Sequence, residues 1–230
     1  MGGDRARRRA HRAPVNNPAA DPGPAWIRRW RMVEELRALG VGDERVLRAM
    51  ATVPRERFLP AELAARAYEP SPLPIAAGQT ISAPHIVAVM TAALELSGTE
   101  RVLEIGTGSG YGAAILSRCA GEVVSIEHHR QLAATAARSL TRQGYRTVEV
   151  RVGDGARGAP DRAPFDAISL TAMAPDQLPQ DLVELLAPGG RLVGPVKQAC
   201  EDEGRLLRRW SSGHVETLMA VRFVPLISGP

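Results

Sequence analysis

The chain contains 230 residues with a mass of 24.6 kDa, of which 44% are hydrophobic and 23% are charged. These values predict one compact soluble domain and exclude disordered, collagen-like and membrane-spanning classes. The formal net charge is +4, but residues 1–31 carry eight arginines and two aspartates, so the rest of the chain has a net charge of −2. We therefore do not interpret the basicity as a nucleic-acid-binding face.

The cysteine and aromatic contents exclude further classes. Cys119 and Cys200 form no CxxC pair and no metal-ligand spacing, which excludes a disulfide scaffold and predicts no metal site. Aromatic residues make up 4% of the chain and offer no stacking platform for single-stranded nucleic acid. No apolar signal core follows the basic start, and no run approaches about 18 apolar residues. We expect a cytoplasmic monomer without a membrane or specific nucleic-acid partner.

The first part of the chain is predicted to be helical after a polar start. Residues 1–25 are rich in Arg, Pro, Ala and Asn without periodicity, which predicts a disordered basic tail. Apolar spacing then indicates helices over 30–40, 43–54 and 60–68. A proline-rich loop leads to Ser82, which is expected to cap a helix ending near residue 96.

Beyond Gly98, short apolar strands alternate with helices. Strands are predicted at 102–105, 123–126, 148–152, 165–170 and 191–196, and helices at 111–120, 130–143 and 182–186. Segments 206–210 and 215–224 are expected to form a closing antiparallel hairpin. The pattern predicts an α/β fold with a Rossmann-like, doubly wound sheet and an N-terminal helical subdomain. We divide the chain into the tail (1–25), a helical and substrate-loop region (26–97) and an α/β core (98–230).

A glycine-rich turn after the first core strand carries the strongest chemical signal. Gly106, Gly108 and Gly110 let the backbone bend and approach a ligand at the strand's carboxyl end, where doubly wound folds bind ligands. The third glycine comes two residues after the second, whereas the dinucleotide fingerprint places it three after. This spacing, with Glu104 before the turn to meet an ammonium group, favours S-adenosylmethionine. Glu104, Gly106, Thr107, Gly108 and Gly110 are therefore predicted cofactor-binding residues.

Two further strand ends fit the same cofactor. Glu127 ends the second strand, where a carboxylate can accept hydrogen bonds from both ribose hydroxyls. Asp154 and Gly155 follow the third strand, where an acceptor can meet the adenine amino group. Either carboxylate alone would be interpreted first as a solvated charge or a turn residue. Three correctly placed strand ends make a cofactor site the better interpretation.

Several motifs together resemble the protein-L-isoaspartate O-methyltransferase family over about Met32 to Leu226. They are, in chain order, PRERFLP (54–60), AY (67–68), PLPI (72–75), GQTISAPH (78–85), EIGTGSGY (104–111), SIE (125–127), GDG (153–155), APFDAI (163–168) and VRFVPL (221–226). The glycine motifs are general among methyltransferases, whereas GQTISAPH and RFVPL are far more particular. The resemblance implies a class I S-adenosylmethionine-dependent methyltransferase core at 98–230.

The resemblance also implies an activity and its site residues. The family methylates the α-carboxylate of L-isoaspartyl residues in damaged proteins, and the ester closes to a succinimide that hydrolyses partly to L-aspartate. Ser82 matches the family's active-site serine. Gln79, Thr80 and Ile81 match its substrate and cofactor loop, and Thr171 is expected to line the substrate pocket. Isoaspartyl-containing proteins and peptides are therefore the expected partners.

The histidines and Ser82 also have simpler interpretations. Ser82 would serve equally well as a helix cap, and no His or acid forms a triad motif around it. His85 is expected on a helix surface or beside the cofactor. His128 and His129 are expected in a solvated loop rather than as a metal pair.

Three departures from the family pattern leave alternatives open. Pro70 stands where the family usually has Asp, Ala76 where it has Gly, and Lys197 where it has Gly after Pro-Val. The first two lie in the loop expected to grip the isoaspartyl group. A relative that methylates aspartate in a ribosomal peptide to form a succinimide is therefore an alternative. The others are an Arg-tailed nucleic-acid-binding protein with a vestigial core and a nicotinamide dehydrogenase, which the glycine spacing disfavours.

Overall fold

The structure, a computed structural model, describes residues 24–198 and 203–229. Its helices are α1 (Ala25–Ala38), α2 (Glu44–Thr52), α3 (Pro84–Ala93), α4 (Tyr111–Cys119), α5 (Arg130–Arg142) and α6 (Gln180–Glu184). Its strands are β1 (Leu73–Pro74), β2 (Thr80–Ile81), β3 (Arg101–Ile105), β4 (Glu122–Glu127), β5 (Val148–Val152), β6 (Phe165–Leu170), β7 (Leu186–Lys197), β8 (Gly204–Trp210) and β9 (Val215–Val221). In the described part of the chain, no helix is long and apolar enough to cross a membrane.

Seven strands form one sheet in the order β5-β4-β3-β6-β7-β8-β9. The first five of these are parallel to one another, while β8 and β9 add an antiparallel hairpin at the edge. The predicted Rossmann-like fold and its closing hairpin are therefore confirmed. β1 and β2 pair separately in a small antiparallel ribbon.

Strand alternation divides the core between the two faces of the sheet. Val102 and Val123 join one hydrophobic cluster with residues of α1 to α4, whereas Leu103 and Val124 join a second cluster with Leu182 of α6. Neighbouring residues of a strand point to opposite faces, so continuous apolar runs are required where both faces are covered. The parallel strands thus hold their carboxyl ends along one edge between two packed layers.

The helical region corrects several predicted boundaries. α1 begins at Ala25, so the start expected near Trp30 is too late and the expected tail ends too late. The helix expected over 60–68 is a 3-10 helix at Ala61–Arg66, preceded by another at Arg55–Phe58. Residues 1–23 of the predicted tail, and Cys200, lie outside the described residues.

The predicted cap of α3 is also wrong. The helix starts at Pro84 and ends at Ala93, and its N-cap is Ala83, which makes no side-chain cap hydrogen bond. Proline favours the first helical position because it lacks the N–H that would otherwise need a partner. Ser82 therefore lies one residue too early to cap the helix. By contrast, the predicted cap of α2 is correct, since Asp43 accepts hydrogen bonds from the N–H groups of Arg45 and Val46.

Candidate active site

The glycine turn leaves the carboxyl end of β3 in a conformation that side chains disfavour. Gly106, Gly108 and Gly110 have φ values of 93°, 53° and 90°. Thr171, at the end of β6, donates from Oγ1 to the carbonyls of Ile105 and Gly106, at 2.8 Å each. A Cβ at Gly106 would collide with that hydroxyl oxygen. The turn is thus held from the neighbouring strand, and only glycine fits its first bend.

A cleft of about 560 Å³ opens above this turn. It brings together seven of the residues predicted from the sequence: Gln79, Thr80, Gly106, Gly108, Glu127, Gly155 and Thr171. The carboxyl ends of β3, β4 and β6 meet here, which is where ligands bind in open α/β sheets. The cleft therefore lies where the sequence predicts a cofactor.

Glu127 presents an oriented carboxylate to the cleft. It is only 5% exposed, and its oxygens accept hydrogen bonds from the backbone N–H of Gly108 at 2.8 Å and of His129 at 2.9 Å. Because each carboxylate oxygen has two acceptor sites, capacity remains for two further donors. A vicinal diol has the matching pair of hydroxyl donors.

Glu104 lies behind the turn and does not line the cleft. It is 1% exposed, and it accepts a hydrogen bond at 2.5 Å from Ser125 Oγ, which lies 2.6 Å from Thr107 Oγ1. A Cβ at Gly112 of α4 would collide with its other oxygen. Burial raises the pKa of Glu104 to about 8, and the nearby charge of Glu127 acts in the same direction against the Ser125 hydrogen bond. Glu104 thus supports the turn from inside the protein.

Asp154 lies beside the cleft rather than in its wall. Its two oxygens accept hydrogen bonds at 2.9 Å from the backbone N–H groups of Ala156 and Gly229. It lines a neighbouring cavity together with His128 and Arg130. Through one of its oxygens, Asp154 therefore links the end of β5 to the C-terminal segment.

A second cavity, of about 990 Å³, contains Ser82 and adjoins the first. Thr80, Thr171 and Val224 line both cavities. Within the described residues, the Ser82 hydroxyl makes no hydrogen bond, so it is available to a bound group. Two ligands occupying the two cavities would meet at the shared residues.

Three predicted site residues have supporting positions. Ile81 is buried and pairs with Leu73, and it lines neither cavity. Thr107 is buried against Ser125. Gly110 is the left-handed N-cap of α4, where a Cβ would press on α5. These residues shape the loop and the turn without entering either wall.

Sequence reasoning missed two parts of the cleft wall. The first is the C-terminal segment Val224, Pro225, Leu226 and Ile227. It is held by hydrogen bonds from Met173 N–H to Val224 C=O at 2.7 Å and from Leu226 N–H to Met173 C=O at 2.8 Å. The RFVPL motif was the available signal, although its residues suggest no chemistry by themselves.

The second missed part is the histidine pair after β4. His128 and His129 lie in the predicted loop and are half-exposed, and both also line the cleft. Nε2 of His129 is buried without a hydrogen-bond partner in the described part of the chain. A buried polar atom without a partner is costly, so Nε2 is open to a hydrogen bond with a bound group.

Comparison with known proteins decides the family. The model of the family described as protein-L-isoaspartate(D-aspartate) O-methyltransferase matches residues 28–230. This chain belongs to that family. Protein-L-isoaspartate O-methyltransferases of Methanoculleus marisnigri and Rhodopseudomonas palustris are 52% and 54% identical to it over 208 and 216 residues. These matches cover 89% and 91% of this chain and 93% and 87% of the relatives.

Solved structures agree with this protein-L-isoaspartate O-methyltransferase fold. One enzyme of that name superposes with a TM-score of 0.76 at 29% identity, over 86% of this chain and 65% of its own, so this chain spans under two thirds of its length. A Plasmodium falciparum protein solved in complex with S-adenosyl-L-homocysteine gives a TM-score of 0.74 at 24% identity, over 86% and 98% of the two chains. At 24% identity, the likeness to the Plasmodium falciparum protein shows a shared fold only.

Proposed function

We propose that this chain moves a methyl group from S-adenosylmethionine to the α-carboxylate of L-isoaspartyl residues in damaged proteins and peptides. The observation that carries the proposal is the pair of adjoining cavities. One contains the glycine turn and Glu127, the other contains Ser82, and they share Thr80, Thr171 and Val224. Membership of the family and relatives at about half identity support the same reaction.

The first cavity suits S-adenosylmethionine on three counts. The glycines at 106 and 108 leave space for close approach, the Glu127 carboxylate can accept from both ribose hydroxyls, and His129 Nε2 has no other partner. We assign supporting roles to Glu104, Thr107 and Gly110. We keep Asp154 as the acceptor for the adenine amino group, because its cavity adjoins the cleft at His128. When bound, the cofactor supplies a methyl group activated on a sulfonium.

The second cavity has to place the substrate carboxylate. An α-carboxyl group with a pKa of about 3.5 is already ionised at neutral pH, so no general base is needed. The Ser82 and Thr80 hydroxyls are donors that can orient its oxygens. Phe223 and Val224 give the cavity an apolar patch, which lies beside Arg222. Alignment and exclusion of water are then the protein's contribution to the rate. The ester formed would close to a succinimide and hydrolyse partly to aspartate.

The departures from the family pattern lie away from these walls. Pro70 and Ala76 line neither cavity, and Lys197 is exposed on β7. We therefore propose that isoaspartate selectivity is retained. We also propose that the helical and substrate-loop region (26–97) forms one wall of the site and the core (98–230) forms the other. The cytoplasmic location and monomeric state stay predictions.

Methyl transfer to paired peptides that differ only in aspartate or isoaspartate tests the proposal. We expect methyl ester from the isoaspartyl peptide alone, with S-adenosylmethionine as donor. Methylation of the aspartyl peptide would instead favour the relative that acts on ribosomal peptides. Methylation of neither, with cofactor binding intact, would contradict the proposed substrate.

A further inference from the structure

Arg55 carries a positive charge in the protein interior. The residue has no exposed surface, and no carboxylate in the described chain forms an ion pair with it. Its Nε donates to the carbonyl of Ala67 at 2.6 Å, and its Nη2 donates to the carbonyl of Ser82 at 2.8 Å. Within the described part of the chain, Nη1 is buried and makes no hydrogen bond. A buried charge without a counter-ion is expensive, so its presence requires a reason.

The contacts of Arg55 join three parts of the site. Ala67 closes the second 3-10 helix, Ser82 follows β2 in the substrate loop, and Tyr111 begins α4 directly after the glycine turn. The guanidinium carbon lies 4.8 Å from the centre of the Tyr111 ring, a cation–π contact. One side chain thus ties the helical layer to both the substrate loop and the element that follows the cofactor turn.

We propose that Arg55 is a positioning residue for methyl transfer, which fixes the Ser82 carbonyl and favours an anionic carboxylate in the Ser82 cavity. This inference rests on the proposed function. Holding the carbonyl in the interior leaves the Ser82 hydroxyl facing the cavity. The uncompensated charge acts through a poorly screened interior and therefore extends further than a surface charge would. Burial lowers the pKa of Arg55, but an arginine remains protonated at neutral pH.

Arg29 provides a matched control in the same layer. It donates to the Tyr68 hydroxyl at 2.9 Å and to the carbonyl of Thr52 at 3.2 Å, and it pairs with Glu56 at 3.2 Å. Among the described residues, it forms no hydrogen bond or ion pair with the Ser82 loop. Replacing it removes a partly buried arginine and its hydrogen bonds from the helical layer while leaving the substrate loop attached.

The test compares Arg55→Met, Arg55→Lys and Arg29→Met. We measure kcat and KM for an isoaspartyl peptide, the Kd of S-adenosylhomocysteine by calorimetry, and the thermal midpoint. Arg55→Met should raise KM about tenfold or more and lower kcat, with the cofactor Kd changed less than about twofold. Arg55→Lys keeps the charge but loses the forked contacts, so it should recover KM more than kcat. Arg29→Met should lower the midpoint without changing KM.

Two results would overturn the proposal. One is a folded Arg55→Met protein with wild-type KM and kcat, and the other is an Arg29→Met protein with the same rise in KM. If Arg55→Met does not fold, a wild-type kcat in Arg55→Lys decides against it equally, because that variant keeps the charge but loses the forked contacts. Amide hydrogen exchange over residues 80–87 should be faster in Arg55→Lys than in wild type, whatever the substrate. If hydrogen exchange is faster in Arg55→Lys but the wild-type protein does not methylate the isoaspartyl peptide, the result contradicts the proposed function and not the positioning role.

Discussion

Glu104 and Glu127 show how an offset of two residues along neighbouring strands separates two carboxylates. Glu104 pairs in register with Ser125, and Glu127 lies two residues further along β4. Glu104 shares the face of Val102, which is the face covered by the helical layer, because strand residues alternate. The period-2 pattern therefore contained the signal that Glu104 points under α4. Glu127 escapes this constraint since it is the last residue of its strand.

Glu127→Ala should weaken cofactor binding. The variant removes the proposed ribose acceptor, and losing hydrogen bonds to a charged group costs about 1.5 to 3 kcal/mol, or roughly ten- to hundredfold in Kd. Calorimetry with S-adenosylhomocysteine gives the value. Glu122→Ala, at the opposite end of β4, serves as the control because its partners are Arg101 and Arg162. Equal Kd values for the two variants would remove Glu127 from the cofactor site.

Ser82→Ala should lower turnover and leave stability unchanged. The hydroxyl lines a cavity and caps no helix, so the free energy of unfolding should stay within about 0.5 kcal/mol of wild type. Single-turnover methylation should slow by about tenfold for one lost hydrogen bond. The rate should keep the same pH profile between about pH 6 and 8, because no base is removed. A lost limb in that profile would show that Ser82 takes part in proton transfer.

Among the elements, those with local signals were predictable and those with non-local partners were not. β3, β4 and β6 are mainly apolar runs, whereas β5 alternates valine with charged residues. Each is followed by glycine or a polar residue, and the predicted bounds agree within one residue. β7 begins at Leu186 rather than 191, because Leu186 pairs with Phe165 across a bulge. β9 ends at Val221 rather than 224, because the following segment crosses to pair with Met173. Neither pairing leaves a trace in local periodicity.

Gly106→Ala tests the lock between the glycine turn and β6. Gly40 has nearly the same φ, 92° against 93°, but nothing lies near its Cβ position, whereas at Gly106 the Thr171 hydroxyl does. Gly40→Ala should cost about 1 to 2 kcal/mol for the left-handed backbone alone. Gly106→Ala should cost more in urea unfolding and should also weaken cofactor binding.

The double variant Gly106→Ala with Thr171→Ala isolates the collision. It removes the hydroxyl that the new methyl group would meet, so its loss of stability should be smaller than the sum of the two single losses. Additive losses, or equal losses at Gly40 and Gly106, would show that the turn is free of this constraint.

At the scale of the whole molecule, the site depends on packing that spans the chain. The helical layer supplies Arg55 and the Ser82 loop, the sheet supplies the turn and Glu127, and residues 224–227 close the cleft. Motifs could place each part on its element, and the sheet topology could bring the strand ends together. The contact of Arg55 with Ser82 and the path of the C-terminal segment required tertiary structure, since they join residues far apart in sequence.

The buried carboxyl of Glu104 should make the stability of the whole protein depend on pH. Its pKa is about 8 when folded, against 4.5 as the ordinary value, so the folded state binds more protons between these values. Its contribution is therefore fully present below about pH 4.5 and is lost as pH rises towards 8, with a slope of at most about 1.4 kcal/mol per pH unit.

Glu104→Gln keeps a neutral side chain of the same shape and should lose this slope. Urea unfolding of both proteins at several pH values from 5 to 8 gives the difference between their free energies of unfolding. Contributions from the other titrating groups are the same in both proteins and cancel in this difference. Parallel curves for the two proteins would mean that Glu104 is ionised in the folded state and that the Ser125 hydrogen bond and the start of α4 outweigh its burial.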